Sequence, residues 1–370
     1  MRITFLDYLR MIACFMVMLV HACEPFYLGG DGTFIANQTD AIWVTMVDSA
    51  VRSAVPLFVL ASSYLLFPLK YDTRTFFTKR LKRVVIPFIV WSLMYVFVPQ
   101  YGGDTGTYIT AEVGEGLKHF ALNFVDAGGH LWFVYMLLGI YLVMPLLSPW
   151  ATQVSKKGEE AFLWLWLFTT TIPFWRLLAE SVFGLKQVWG EAFWNEFGMF
   201  YGVSGFIGYV VLGHYIRTHV AQLSWRRTLS IALPVWAVGY AISTGWFWNT
   251  LPNTYPISDE ISLAVLAETA WNFTTTGVVL QTIGYFLIIR KFTADGWFYQ
   301  HVVMPISRVS YGMYLMHIFF LGFYCNLFKD NLINSTPLAI LSIATCTYVS
   351  SFVLAFILSK ITKVGKYIVG

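Results

Sequence analysis

The chain has 370 residues, 57% of them hydrophobic and only 12% charged, about half the charge of an ordinary soluble domain. That composition excludes a soluble globular protein, and a net charge of +4 is too small to point to nucleic acid. No internal repeat, low-complexity linker or attached soluble domain is visible, so residues 1–370 read as one integral membrane domain. The expected fold class is all-α, a polytopic transmembrane helical bundle of about ten helices.

Stretches apolar enough to cross about 30 Å of hydrocarbon fall at 5–27, 42–67, 84–100, 131–150, 160–180, 198–216, 228–248, 261–289, 304–328 and 337–359. The first holds Asp7, Arg10, His21 and Glu24. Ionisable groups inside a span are costly and mark function by default. Eleven residues are about three helical turns, so Arg10 and His21 share a face roughly 16 Å apart. Asp7 precedes Arg10 by three and Glu24 follows His21 by three, spacings that place each pair in reach on a helix. A histidine beside a carboxylate is an arrangement for a general base, because the carboxylate orients the ring and stabilises its cation. The alternative is a polar patch that fixes helix packing. Val20-His-Ala-Cys23 mimics a lipoprotein cleavage site, but histidine fits that site poorly and further spans follow, so the first helix is expected to be retained.

Asp48 and Arg52, four apart at the start of the second span, either satisfy each other or offer an anion or hydroxyl contact. Phe76-Phe-Thr-Lys79-Arg80-Leu-Lys82-Arg83-Val-Val-Ile-Pro87 is the densest basic segment. It suits contact with anionic membrane lipids. Arg80 and Arg83 also share a helical face, and two guanidiniums match phosphate oxygens. His130 and Trp132 open the fourth span, where hydrogen bonding and stacking to a sugar, or an aromatic interfacial anchor, are both available. Trp246, Trp248, Trp297 and Tyr299 fit interfacial belts. Glu180 is expected to pair with Arg176. Ser310, Tyr314 and His317 share a face of the ninth span, a pattern for interhelical hydrogen bonds. Cys14, Cys23, Cys325 and Cys346 lie in apolar spans without Cys-x-x-Cys spacing, so neither disulfide nor zinc is indicated. No metal-ligand cluster, phosphate loop or Gly-x-Ser-x-Gly nucleophile appears.

Loop charge orients the bundle. Seventeen Lys and Arg fall at one set of span ends, from Arg2 through the 70–83 cluster to Lys366, and three (Lys118, Lys186 and Lys329) fall at the other. The positive-inside rule then places both termini in the cytoplasm, in a cell inner (plasma) membrane. The opposite loops are 28–41, 101–130, 181–197 and 249–260.

Taken in order, these segments resemble the acyltransferase-3 family of integral membrane acyltransferases. The nearest branch is that of the surface-polysaccharide O-acetyltransferases, which includes the enterobacterial common antigen O-acetyltransferase. The likeness rests on Phe5-Leu-Asp-Tyr-Leu-Arg10 through His21; Arg52-Ser-Ala-Val-Pro-Leu-Phe58 with Tyr64; Lys79-Arg80-Leu-Lys-Arg83 with Ile86-Pro87; His130-Leu-Trp-Phe133 through Tyr141 and Pro145; and Ser310 to His317. Ser62-Ser63 stands where members commonly read Ser-Gly. The resemblance implies transfer of an acyl group, usually acetyl, from cytoplasmic acetyl-CoA to a hydroxyl of a carbohydrate, often lipid-linked or exported. It implies a CoA contact at Arg80 and Arg83, with Arg52 as a further donor-side cation. His21, Glu24 and Arg10 become the expected catalytic group, and His130, Trp132, Tyr314 and His317 the expected substrate contacts. Expected partners are acyl-CoA, the carbohydrate acceptor and membrane lipids, with no metal and no nucleic acid. The alternative reading is a transporter or flippase for a lipid-linked saccharide that uses the same polar stripe as its pathway.

Overall fold

The computed structural model describes residues 2–29, 32–98, 100–102, 107–109, 113–120, 122–124, 128–192, 194–260, 269–361 and 365–370. It is an all-α bundle. The first helix, α1 (Thr4–Cys23), continues into a 3-10 turn at Glu24–Phe26. The second apolar stretch forms two helices, α2 (Gln38–Val51) and α3 (Ala54–Leu66), which meet at Arg52 and Ser53. Next come α4 (Thr73–Phe97) and the short α5 (Val113–Phe120). A 3-10 turn at Gly129–Leu131 leads into α6 (Trp132–Gln153). Helices α7 (Lys156–Thr169) and α8 (Ile172–Phe183) are bent by 43°. A 3-10 segment at Gly198–Val203 precedes α9 (Ile207–His219). The chain ends with α10 (Trp225–Thr250), α11 (Thr276–Ile289), α12 (Met304–Cys325), α13 (Thr336–Ile361) and α14 (Gly365–Val369).

Six of the described segments are long and apolar enough to cross a membrane: α1, α2 with α3, α6, α10, α12 with its flanking π-helical turns, and α13. The bent α7–α8 pair makes a seventh. The remaining expected spans differ for physical reasons. In α4 the first half is basic, with Arg74, Lys79, Arg80, Lys82 and Arg83. The sixth stretch breaks at Gly205, whose φ of +74° suits glycine alone. The eighth yields only the 14 residues of α11, and its residues 261–268 lie outside the described residues. So do parts of the expected loop 101–130, and Lys363.

Helix α1 is the centre of the bundle, packed on α2, α3, α12 and α13. The tightest pair, α10 with α11, meets through small residues. A Cβ on Gly239 would stand 2.5 Å from the Gly277 carbonyl oxygen, so backbone-to-backbone approach replaces side-chain packing there. At Ser62-Ser63, the Ser63 hydroxyl donates to the Val210 carbonyl and ties α3 to α9. Asp72 caps α4 by accepting the Thr75 N–H, and hydrogen bonding from the Thr75 side chain, then from its backbone, holds the Asp72 carboxyl below the usual carboxylate range. All four cysteines are free.

Two small sheets lie among the loops. Strands β1 (Leu28–Gly29), β2 (Gly32–Ile35) and β5 (Ile257–Glu260) form an antiparallel sheet in the order β1-β2-β5. The pair β3 (Gln100–Gly102) and β4 (Thr107–Ile109) forms a hairpin. The first sheet ties the loop after α1 to the loop after α10, at the His21 end of α1.

Candidate active site

Asp7 organises one end of the site. Its carboxylate is buried, with 1% of the side chain exposed. It accepts from Arg2 Nε at 2.5 Å and from a second Arg2 nitrogen at 3.0 Å. Tyr299 donates to it at 2.7 Å and Ser307 at 2.6 Å. The expected Asp7–Arg10 pair is present at 3.4 Å, the longest of these contacts. Arg2 and the two hydroxyls take up most of the carboxylate's acceptor capacity, which leaves the Arg10 guanidinium with donors to spare. Tyr299, expected as an interfacial anchor, stands at the start of the π-helical turn Tyr299–Val303 and is instead buried against Asp7.

Arg10 opens onto a cavity of about 460 Å³, within the range of small-molecule sites. Four more arginines line it: Arg2, Arg80, Arg83 and Arg308. Spacing within one helix cannot bring α1 and α4 together. The fold does so, and Arg10, Arg80 and Arg83 share one chamber. Arg2 and Arg308 were not expected there. Arg308 precedes the Ser310–His317 face by half a turn, and that adjacency was the available signal. Away from the arginines the walls become apolar and aromatic, with Phe58, Phe133, Leu137 and Tyr141. The chamber runs along α1 as far as Val17. Val17 lies one turn before His21 on the same face, and Tyr314 also lines the chamber.

Behind Tyr314 stand three histidines from three elements. The ring centroids of His21 and His317 are 5.0 Å apart, those of His130 and His317 5.0 Å, and those of His21 and His130 6.5 Å. The expected His21–Glu24 pair is formed, with Nδ1 at 2.9 Å from both carboxylate oxygens. This leaves Nε2 of His21 as the atom available to a reacting hydroxyl. His317 uses Nδ1 to bond the Tyr314 carbonyl oxygen at 2.6 Å, while the Tyr314 hydroxyl donates to the His130 carbonyl oxygen at 2.5 Å. The Nε2 atoms of both His130 and His317 are buried without a hydrogen-bond partner among the described residues. Buried nitrogens in that state are costly and mark a place where polar ligand atoms or water are accommodated. No group of three His, Cys, Asp or Glu among the described residues is placed to hold a metal ion.

Arg52 does not join Arg80 and Arg83. It is held by Asp48 at 2.6 and 2.7 Å and by the Tyr27 hydroxyl at 3.0 Å, and it lies 4.5 Å from the centre of the Trp271 ring. It lines a second cavity, of about 870 Å³, on the far side of the histidines. Trp132 borders that cavity too, stacked on Phe273 at 5.2 Å. The turn at 129–131 thus divides the two chambers: Trp132 faces the far one, Phe133 the arginine-lined one, and His130 the cluster between them. Trp271, Asn272 and Phe273 of the far chamber carry no spacing that distinguishes them from loop residues. The expected Arg176–Glu180 pair is not formed. Arg176 is bonded instead to Glu191, at 2.5 and 3.1 Å, and to the Glu196 carbonyl oxygen. The segment after α8 folds back over the helix and presents a more buried carboxylate than Glu180.

A bundle of apolar helices with an arginine and a histidine on the central one, a second basic helix and a histidine-bearing turn matches a known pattern along nearly its whole length. A family profile described as an acyltransferase domain covers residues 3–360. The chain belongs to the acyltransferase-3 family. It is therefore a multi-pass membrane acyltransferase. No curated protein and no solved structure matches it.

Proposed function

We propose that this acyltransferase moves an acetyl group from acetyl-CoA to a hydroxyl of a cell-surface or lipid-linked carbohydrate. The observation that carries the reading is the lining of the 460 Å³ chamber, which joins five arginines to an apolar and aromatic wall that includes Tyr314, whose ring centre lies 5.9 Å from those of His130 and His317. A CoA thioester is built to match, with phosphates at one end and the reacting carbonyl at the end of a long flexible arm. Arg80 and Arg83 take phosphate oxygens as fork donors, and Arg2, Arg10 and Arg308 complete the cationic wall. The arm lies along α1 toward Val17, and the thioester reaches the histidines.

His21 Nε2 removes the proton of the acceptor hydroxyl as its oxygen bonds to the thioester carbon. The carbonyl π bond opens to an oxyanion, then reforms as the C–S bond breaks. The imidazolium returns its proton to the departing thiolate, so free CoA and an O-acetyl ester are the products. Glu24 orients the ring and stabilises its cation. Two groups holding reactants in line supply most of what such a transfer needs. The acceptor enters from the far chamber, where Trp132 offers a face for stacking and Arg52 a fixed cation. Seventeen basic residues against three support a plasma-membrane orientation with about ten spans, including α4, α9 and α11, and with both termini and the arginine chamber cytoplasmic.

Purified protein in closed proteoliposomes, given labelled acetyl-CoA and cell-envelope glycan, tests the reading. Transfer of label to glycan, lost in His21→Ala with acetyl-CoA binding retained, is the expected result. Movement of glycan across the bilayer without acetylation overturns it in favour of transport.

A further inference from the structure

Helix α4 carries Arg80 and Arg83, and its own backbone is interrupted just beside them. Pro87 has no N–H to give to the Arg83 carbonyl oxygen, so the turn that holds both arginines is joined to the rest of the helix by one backbone bond fewer. Two contacts from outside flank that gap. On one side the Tyr311 hydroxyl of α12 donates to the Val84 carbonyl oxygen at 2.9 Å. On the other, the buried Trp91 donates through Nε1 to the Ile368 carbonyl oxygen of α14 at 2.8 Å. Helix α4 packs on α5, α6, α12 and α14, and most extensively on α14. The next residues reach α12 and the chamber. Val369 is buried and seats on Gly312. A Cβ at Gly312 would stand 2.7 Å from the Val369 Cβ, well inside the contact distance of two carbons, so glycine is what admits this approach. Gly370 lies against the Tyr311 ring and forms part of the chamber wall, with Arg80, Arg83 and Arg308.

A helix as short as α14 does not persist alone, so it keeps its place through these contacts, and the contacts hold both partners. We infer that residues 365–370 are a strap that fixes the proline-interrupted α4 against α12, with Ile368 and Val369 as positioning residues for Arg80 and Arg83. Neither Ile368 nor Val369 lines the chamber; both act through α4 and α12. Fork donors need a fixed geometry to meet phosphate oxygens, and a helix arm free to swing about its proline loses it. With the strap released, Arg80 and Arg83 keep their charge but not their place, and the chamber loses the part of its wall formed by Gly370. The principal packing partners of α14 are α4, α12 and α13. His21 and Glu24, on α1 and the turn after it, therefore keep their pairing when it is released. The inference rests on the acyl-CoA reading of the arginine chamber and adds the segment that sets its geometry.

The test compares three forms of the chain in nanodiscs: wild type, Val369→Asp, which puts a charge into a buried seat, and a deletion of residues 365–370. A nitroxide on Tyr367→Cys, at an exposed position, reports docking by its mobility in electron paramagnetic resonance. Acetyl-CoA binding is read by equilibrium dialysis and turnover by transfer of labelled acetyl. The label is expected to become mobile in Val369→Asp. In both variants Kd and KM for acetyl-CoA are expected to rise about tenfold or more, with kcat at saturating donor within threefold of wild type. Binding within twofold of wild type in the deletion overturns the inference, because the segment is then absent by construction. A fall in kcat as large as the loss of binding, with a lowered thermal midpoint, also overturns it and makes the segment a general support of the fold. Failure of the acyl-CoA reading is seen separately, as absence of acetyl-CoA binding in the wild-type protein.

Discussion

Replacing Glu24 by glutamine removes one charge and keeps the side-chain shape. Both carboxylate oxygens lie 2.9 Å from Nδ1 of His21, which puts the centres of charge about 4 Å apart once the ring is protonated. At that separation the pair is worth about 4 kcal/mol at an effective dielectric of ~20 and about 1 kcal/mol in water. The Glu24 side chain is 32% exposed and that of His21 17%, so the site lies between these limits. About 2 kcal/mol of imidazolium stabilisation is the working figure, and it acts where the cation forms, in the transition state. A loss of that size lowers kcat about 30-fold. The assay is initial-rate transfer from labelled acetyl-CoA at saturating donor, with KM for the donor measured alongside. The expected pattern is a fall in kcat with KM for acetyl-CoA within twofold, because Glu24 does not line the arginine chamber. A fall of less than threefold, in protein shown to be folded by its thermal transition, refutes the role given to the carboxylate.

Three further outcomes follow from named contacts. Arg80→Ala removes the proposed charge-assisted contact to a CoA phosphate, worth about 1.5–3 kcal/mol, so the Kd for acetyl-CoA is expected to rise roughly 10- to 150-fold while residual turnover at saturation persists. Unchanged binding by isothermal titration returns the α4 cluster to lipid contact. Asp7→Ala leaves Arg2, Tyr299 and Ser307 without their shared acceptor. The expected cost is about 3 kcal/mol of stability, read as a lowered thermal midpoint, and an unshifted midpoint contradicts the burial argument. Gly239→Leu drives a side chain into the backbone of α11 and is expected to destabilise by about 2 kcal/mol or more. Wild-type stability in detergent would show that α10 and α11 separate without penalty.

The local pairs were legible in the sequence and the convergence of helices was not. His21–Glu24, Asp7–Arg10 and Asp48–Arg52 follow from helical spacing, because three or four residues fix a neighbour on one helix. The placement of Arg80 and Arg83 opposite Arg10, and of Arg308 beside them, depends on how α4 packs on α6, α12 and α14 and how α12 packs on α1, which a hydropathy pattern does not encode. Arg52 illustrates the converse. Its pairing was readable, but the break between α2 and α3 puts it on the far chamber, away from the arginines it was grouped with. Arg176 chose Glu191 over Glu180 because a folded-back segment offered a buried partner, a tertiary choice invisible to spacing. The apolar stretches marked the helices well, but length alone did not reveal the bend between α7 and α8 or the short α11.

The central claim is that one molecule reaches from the arginines to His21. Cryo-electron microscopy of the protein with a non-hydrolysable acetyl-CoA analogue tests it most directly. The expected map places the phosphates against Arg80 and Arg83 and the thioester carbon close enough to Nε2 of His21 for a hydroxyl between them, within about 6 Å given near-attack spacings of ~3 Å on each side. Phosphates seated elsewhere, or an acyl end that stops at Arg10 far short of His21, contradicts the claim.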